Sequence, residues 1–196
     1  MLIKNESTKN SVVVLDFEGF RHKKTGFIIK ELSVHSNNFS DAIVICPPCN
    51  FYELSQSEQK SHSWVTKYLH GIEWKSGEYP YSFLETYFVL ILLRFPFATF
   101  YAKGREKCQS LSKHLKRDVL NLEDLNCPKI DFLLEKFCQP VCDNHSSRTP
   151  HRQRAEHCAK GKSKLFLRWL QSERNETVSS SSQFISKFDH LQLHDD

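Results

Sequence analysis

Residues 11 to 46 read SVVVLDFEGFRHKKTGFIIKELSVHSNNFSDAIVIC, and the alternation of apolar β-branched runs with polar turns in this stretch decides the fold class. Ser11 to Phe17 is a short apolar run that suits a buried strand, with Asp16-Phe17-Glu18-Gly19 at its end. After the turn HKKTG, Phe27 to Val34 predicts a second strand that contains Glu31. Ala42 to Cys46 predicts a third, stopped by Pro47-Pro48. Three successive strands predict a meander.

Downstream, Phe51 to Glu78 has mixed polarity and predicts loops and short helices. Tyr81 to Leu93 has the length and apolar density of a buried helix, Phe95 to Tyr101 predicts a strand, and Arg105 to Lys116 a basic helix. Val119 to Leu122 predicts a fifth strand, and Asn126-Cys127-Pro128 breaks the chain before a helix from Lys129 to Phe137. A last helix, Ala155 to Gln171, carries an apolar stripe of Cys158, Leu165, Phe166, Trp169 and Leu170. This is the element order of a ribonuclease H-like α/β fold, a mixed five-stranded sheet flanked by helices. Other α/β and α+β domains share parts of it. The expected organisation is a flexible N-terminus over 1–10, one domain over 11–172, and a Ser-rich, mobile tail over 173–196.

Composition agrees with one folded domain: 196 residues, 39% hydrophobic, 12% aromatic and fifteen Phe exceed what a disordered chain carries. The opening MLIKNESTKN lacks a signal peptide's apolar stretch, and Phe88 to Leu93 is too short to span a bilayer, so the expectation is a soluble intracellular protein without membrane contact. Seven Cys then read as reduced thiols or metal ligands rather than as a disulfide framework.

Asp16 and Glu18, two apart on a strand, point to one side, where such a pair can hold divalent ions for phosphodiester cleavage. DFEG resembles the first motif of the DEDDh exonucleases. The second acid of that family falls at Cys108, and its late His-x-A-x-x-D motif reads His157 to Lys162, with Lys162 in place of the Asp. Two of four carboxylates are missing, too few to balance two metal ions. Mg2+ or Mn2+ is implied only if an active exonuclease uses Asp16, Glu18 and His157 with substituted ligands. The competing expectation is that the ammonium of Lys162 sits beside Asp16 and Glu18 and replaces the lost metal charge.

Between Cys142 and Ala159 the chain reads CDNHSSRTPHRQRAEHCA. Cys142-x2-His145 offers two ligands on one turn, and Cys158 a third from a helix start, where the dipole favours thiolate. The plain alternative is two small buried cysteines and a loop histidine. Cys138 competes with Cys142, and His151 or His157 with His145. Cys46-x2-Cys49 lacks a second half-site and reads as loop cysteines.

Here the sequence resembles the Maelstrom domain, a ribonuclease H-like relative of the DEDDh exonucleases in which a Glu-Cys-His-Cys zinc set replaces the metal-binding acids. Cys142, His145 and Cys158-Ala159 match its hallmark, and Lys30-Glu31-Leu32-Ser33-Val34 matches its second-strand motif. Phe100-Tyr101-Ala102-Lys103 and Leu122-Glu123-Asp124-Leu125 are similar to two further segments. The chain departs from the family in a longer Cys-His loop, a more exonuclease-like DFEG and the lack of an HMG box. The resemblance implies structural Zn2+ on Glu31, Cys142, His145 and Cys158, with no place for a catalytic water.

Net charge is +4, with basic residues concentrated at Lys103 to Arg117 and His145 to Arg168. Lys103, Arg105, Lys107, Arg152, Arg154, Lys160 and Lys162 are candidate phosphate contacts, and Trp74 and Tyr101 candidate stacking residues, or else an ordinary solvated face. The resemblance implies single-stranded RNA and RNA-silencing proteins as partners, piRNA-type transposon silencing, weak RNA cleavage independent of the exonuclease acids, and a cytoplasmic, perinuclear-granule or nuclear location. Three functions compete: a catalytically degenerate RNA-binding module, an active 3′–5′ exonuclease, and a protein-interaction scaffold.

Overall fold

The meander is present and its strands are longer than the apolar runs suggested. In the computed structural model, which describes residues 11–137, 145 and 155–189 with side chains as far as 174, β1 (Val12–His22) pairs antiparallel with β2 (Gly26–Ser36), and β2 with β3 (Phe39–Val44). Then follow α1 (Gln56–Tyr68), α2 (Phe83–Arg94), β4 (Thr99–Ala102), α3 (Arg105–Leu115), β5 (Val119–Asn121), α4 (Ile130–Phe137) and α5 (Ala159–Asp189). β4 lies parallel to β1 and β5 parallel to β4, so the described chain is an α/β domain with a mixed sheet ordered β3-β2-β1-β4-β5.

Strand alternation sends β1 residues to two cores. Val13, Leu15 and Phe17 pack against Leu84, Phe88 and Ile91 of α2 and Leu111 of α3. Val14 meets Leu133 of α4 and Leu165, Phe166 and Trp169 of α5 on the opposite face. Each fully buried Leu or Phe of this kind contributes about 1.5–3 kcal/mol, so the two faces carry most of the stability. A third cluster, Phe20, Ile28, Leu54 and Trp74, closes the far end of the β1–β2 hairpin.

A bulge in β2 decides which side chains reach the α5 face. Glu18 pairs with Glu31 but Gly19 pairs with Ile29, leaving Lys30 as the extra residue. Ile29 and Leu32, three apart, therefore both join the α2–α3 core, while Lys30 and Glu31 both turn away from it. Lys30 is fully buried and its Nζ donates to the carbonyl of Trp74 at 2.8 Å. Opposite the bulge only glycine fits, because a Cβ on Gly19 would lie 2.1 Å from the carbonyl oxygen of Ile28.

Several boundaries differ from the sequence expectations. Asp16 and Glu18 lie inside β1 rather than at its end, because the strand runs through DFEG to His22. The expected loops and short helices after Phe51 include a thirteen-residue helix, α1, fixed by a capping box in which Ser55 and Glu58 exchange hydrogen bonds. β4 starts at Thr99, after a turn, rather than at Phe95. The last helix starts at Ala159, so Cys158 precedes it, and its backbone runs to Asp189, past the expected boundary at 172. Among the described residues no helix is long and apolar enough to cross a membrane.

Candidate metal centre and the neighbouring charge cluster

Two groups of buried polar side chains meet at the N-terminal turns of α5. They are neighbours because Glu18 and Glu31 face each other across the β1–β2 ladder, and cross-strand partners place their Cβ atoms about 5 Å apart. α5 serves both, with Ala159 and Lys162 one turn apart on its inner side.

The first group is Glu31, His145 and Cys158. All three are buried, and one ligand atom from each lies within 4.8 Å of the others. Glu31 Oε2 accepts the backbone N–H of Ala159 at 2.8 Å, satisfying one of the donors left open at a helix start. Cys158 Sγ accepts the N–H of Gly161 at 3.3 Å, so the sulfur caps the helix from the position an Asp or Ser would occupy. The helix dipole there favours the thiolate. His145 Nδ1 donates to the carbonyl of His70, which places an N–H on Nδ1 and turns Nε2 toward Glu31 Oε2 at 3.3 Å. That Nε2 is buried, with the Glu31 carboxylate and the Cys158 sulfur as its neighbours in the cluster.

A backbone carbonyl on one imidazole nitrogen, with the other turned into an acidic cluster, is how metal-binding histidines are held. The cluster also demands positive charge: burial depresses the His145 pKa, yet hydrogen bonds and charge from Cys158 and Glu31 outweigh it and lift the value to about 10. One carboxylate oxygen, one imidazole nitrogen and one sulfur form a donor set able to hold a metal ion. Cys142, the remaining expected ligand, lies outside the described residues, as do Cys138 and His151. His157 is not part of this group, and neither are Cys46 and Cys49.

The second group is Asp16 and Glu18 with two lysines. Lys162 Nζ lies 2.9 Å from Asp16 Oδ2 and is hydrogen-bonded to Glu18, so its ammonium stands where the sequence comparison placed it. Lys107 Nζ, from the first turn of α3, lies 2.6 Å from Asp16 Oδ1 and 3.5 Å from Glu18 Oε1. Two positive charges thus meet two negative ones. Burial alone would raise the Glu18 pKa, but Lys107 and Lys162 hold it at about 2. Lys162 is driven the other way: burial opposes its charge, and Asp16 and Glu18 push its pKa above the usual lysine value.

These four residues, with His70 and His157, line a cleft of about 620 Å³. Burial lowers the pKa of His157 against the opposing charge of Glu18. Cys108, where the sequence resemblance expected a second acid, is no ligand candidate: it belongs to the α2–α3 core, its thiol bonds the Ala102 carbonyl at 3.5 Å, and burial lifts its pKa to about 11. Lys107, one residue earlier on the helix, reaches the carboxylates instead.

The expected phosphate-contact set is divided. Lys107 and Lys162 are engaged with Asp16 and Glu18, and Lys103 donates to the Cys127 carbonyl at 2.7 Å. Arg105 and Lys160 are exposed, and Arg152 and Arg154 lie outside the described residues. Trp74 and Tyr101 are each only 7% exposed, which removes them as stacking surfaces: Trp74 is stacked on His62 instead. Sequence reading missed Lys107 as an internal partner and His70 as the carbonyl that orients His145. No spacing signals either, since both contacts join residues 75 or more positions apart.

No protein-family model matches the chain, and no curated protein matches it in sequence.

Proposed function

We propose that the chain is a zinc-stabilised, catalytically degenerate ribonuclease H-like module of the Maelstrom kind that binds single-stranded RNA in an RNA-silencing setting. The observation that carries this reading is the pair of ammonium groups, Lys107 and Lys162, held on Asp16 and Glu18. Two-metal phosphodiester cleavage needs carboxylates free to hold two divalent ions about 4 Å apart. Here each carboxylate already has lysine partners at hydrogen-bond distance, so a metal would have to displace a buried ion pair. The strand order β3-β2-β1-β4-β5, antiparallel then parallel, supports the fold assignment.

Zinc is the favoured ion for the neighbouring cluster because Cys, His and Glu together suit its borderline softness, whereas Mg2+ takes oxygen ligands. With Cys142 as fourth ligand the shell would be closed, as in structural sites, and the metal would join β2 to the start of α5. Exposed Arg105 and Lys160 are what remains among the described candidates for phosphate contacts.

The test is a single-stranded RNA binding and cleavage assay on the full chain, with and without magnesium, alongside its zinc content. Salt-sensitive binding without mononucleotide release, and one zinc per chain, is the expected result. Magnesium-dependent release would establish the exonuclease reading instead, and neither binding nor cleavage would leave a protein-interaction scaffold.

A further inference from the structure

α1 carries two aromatic side chains that its own packing leaves outside. The helix buries His62, stacked on Trp74, and turns Ser61 and Val65 to the wall of the cleft that holds Lys107 and Lys162. Beside that wall, on the solvent side, stand Trp64 and Tyr68, 53% and 43% exposed. They are one turn apart, so their rings adjoin, with centroids 5.6 Å apart and planes tilted by 41°. Trp74 and Trp169 are buried, which makes Trp64 the one exposed tryptophan of three.

The neighbours of the two rings select the occupant. At about 100° of turn per residue, Lys60 and Lys67 fall on the side of Trp64 away from the cleft, and Ser57 and Ser61 on the side toward it. The exposed positions of α1 hold rings, hydroxyls, amides and ammonium groups, with no aliphatic side chain and no carboxylate. Glu58, the one acid of the helix, is turned back to its capping partner Ser55 and to the backbone N–H of Lys23 at 3.3 Å. That contact sets the hairpin turn, with exposed Lys23 and Lys24, beside the start of α1. Protein interfaces are depleted in lysine, whereas aromatic faces bordered by ammonium groups complement the base and the phosphate of an unpaired nucleotide.

We propose that Trp64 and Tyr68 form the base-stacking platform of the RNA site, with Lys60 and Lys67 meeting the phosphates; this rests on the single-stranded RNA reading above. Each ring takes a base face. Lys67 Nζ, 5.0 Å from the centre of the Tyr68 ring, is within reach of the phosphate of a nucleotide stacked there. The platform supplies what buried Trp74 and Tyr101 cannot. It selects single strands, because duplex bases already have both faces covered, and it tolerates sequence, because every base has a π-face. Neither ring belongs to the metal cluster or to the lysine–carboxylate group, so stacking leaves both in place.

The test measures the affinity of the full chain for a labelled uridine oligomer of about ten nucleotides and for its abasic counterpart. Anisotropy reports binding, and quenching of tryptophan emission reports stacking on Trp64. Salt-sensitive binding with quenching is expected, weakened about tenfold in each of Trp64→Ala and Tyr68→Ala and largely recovered in Trp64→Phe. The abasic oligomer, which keeps the phosphates, binds more weakly and is indifferent to both alanine variants. Lys60→Ala and Lys67→Ala each lower the slope of log affinity against log salt by about 0.7. Uridine binding that neither alanine variant weakens, an equal loss with the abasic oligomer, or a salt slope unchanged in both lysine variants overturns the proposal and leaves the RNA reading standing. Absence of binding to either oligomer removes the RNA reading and the proposal together.

Discussion

Replacing Lys162 by Met keeps the length of the side chain and removes its charge from a site that is only 8% exposed. Breaking a buried ion pair from one side costs about 3–5 kcal/mol, because the partner charge stays buried. Lys107 remains 2.6 Å from Asp16 and 3.5 Å from Glu18 and offsets part of this, so the expected loss at neutral pH is about 2–4 kcal/mol. The pH dependence gives a sharper signature. In the wild type the Glu18 pKa is held down from 4.5 to about 2. A depressed carboxylate contributes its stability in full above pH 4.5 and loses it as the pH falls toward 2, about 3 kcal/mol at about 1.4 kcal/mol per pH unit. In Lys162→Met burial prevails over the single remaining lysine and Glu18 takes up a proton at higher pH, so acidification first recovers part of the lost stability. Urea unfolding of both proteins across the acid range measures the two curves. A variant within about 0.5 kcal/mol of wild type, or with parallel pH dependence, would refute the assignment of Lys162 as the counter-charge.

Other consequences follow from neighbouring contacts. Gly19→Ala places a methyl group 2.1 Å from a backbone oxygen that cannot rotate away, and urea unfolding should show a loss of about 1–3 kcal/mol or more. Glu31→Gln keeps the shape of the cluster and removes its charge, so one metal equivalent should be lost in native mass spectrometry and the melting temperature should fall; unchanged metal content would exclude Glu31 as a ligand. His35, 3% exposed and bonded to Ser163 and Ser40 at 2.8 Å each, has its pKa pushed down to about 4 by burial. A histidine held neutral stabilises the fold above its unfolded value near 6.5 and loses that contribution as the pH falls toward 4, so its imidazole NMR signals should stay in the neutral form to about pH 4. Titration near 6.5 would show that the network with α5 does not form.

Much of this architecture was legible because it rests on local patterning. The β-branched runs before Asp16, around Ile28 and before Pro47 marked β1 to β3, and the dense apolar stretch after Tyr81 marked α2. The neighbourhood of Lys162 with Asp16 and Glu18 was also accessible, since two adjacent buried carboxylates require a counter-charge and the motif comparison left one lysine in line to supply it. What stayed hidden depends on tertiary geometry. The bulge at Lys30 turns Glu31 to the α5 side, and no period-2 pattern announces an extra residue. Lys107 looked like part of a basic helix face, because a sequence shows charge but not which face the sheet end meets. The start of α1 did carry a signal, Ser55-x-x-Glu58, which mixed polarity downstream obscured.

Whether Asp16 and Glu18 can hold catalytic metal is decided most directly by titrating the full chain with Mn2+ and following free ion by electron paramagnetic resonance. Lysines occupying the carboxylates predict no Mn2+ uptake that Asp16→Asn alters. Uptake of one or two equivalents, lost in Asp16→Asn, would contradict the lysine-filled site and favour a metal-dependent nuclease centre.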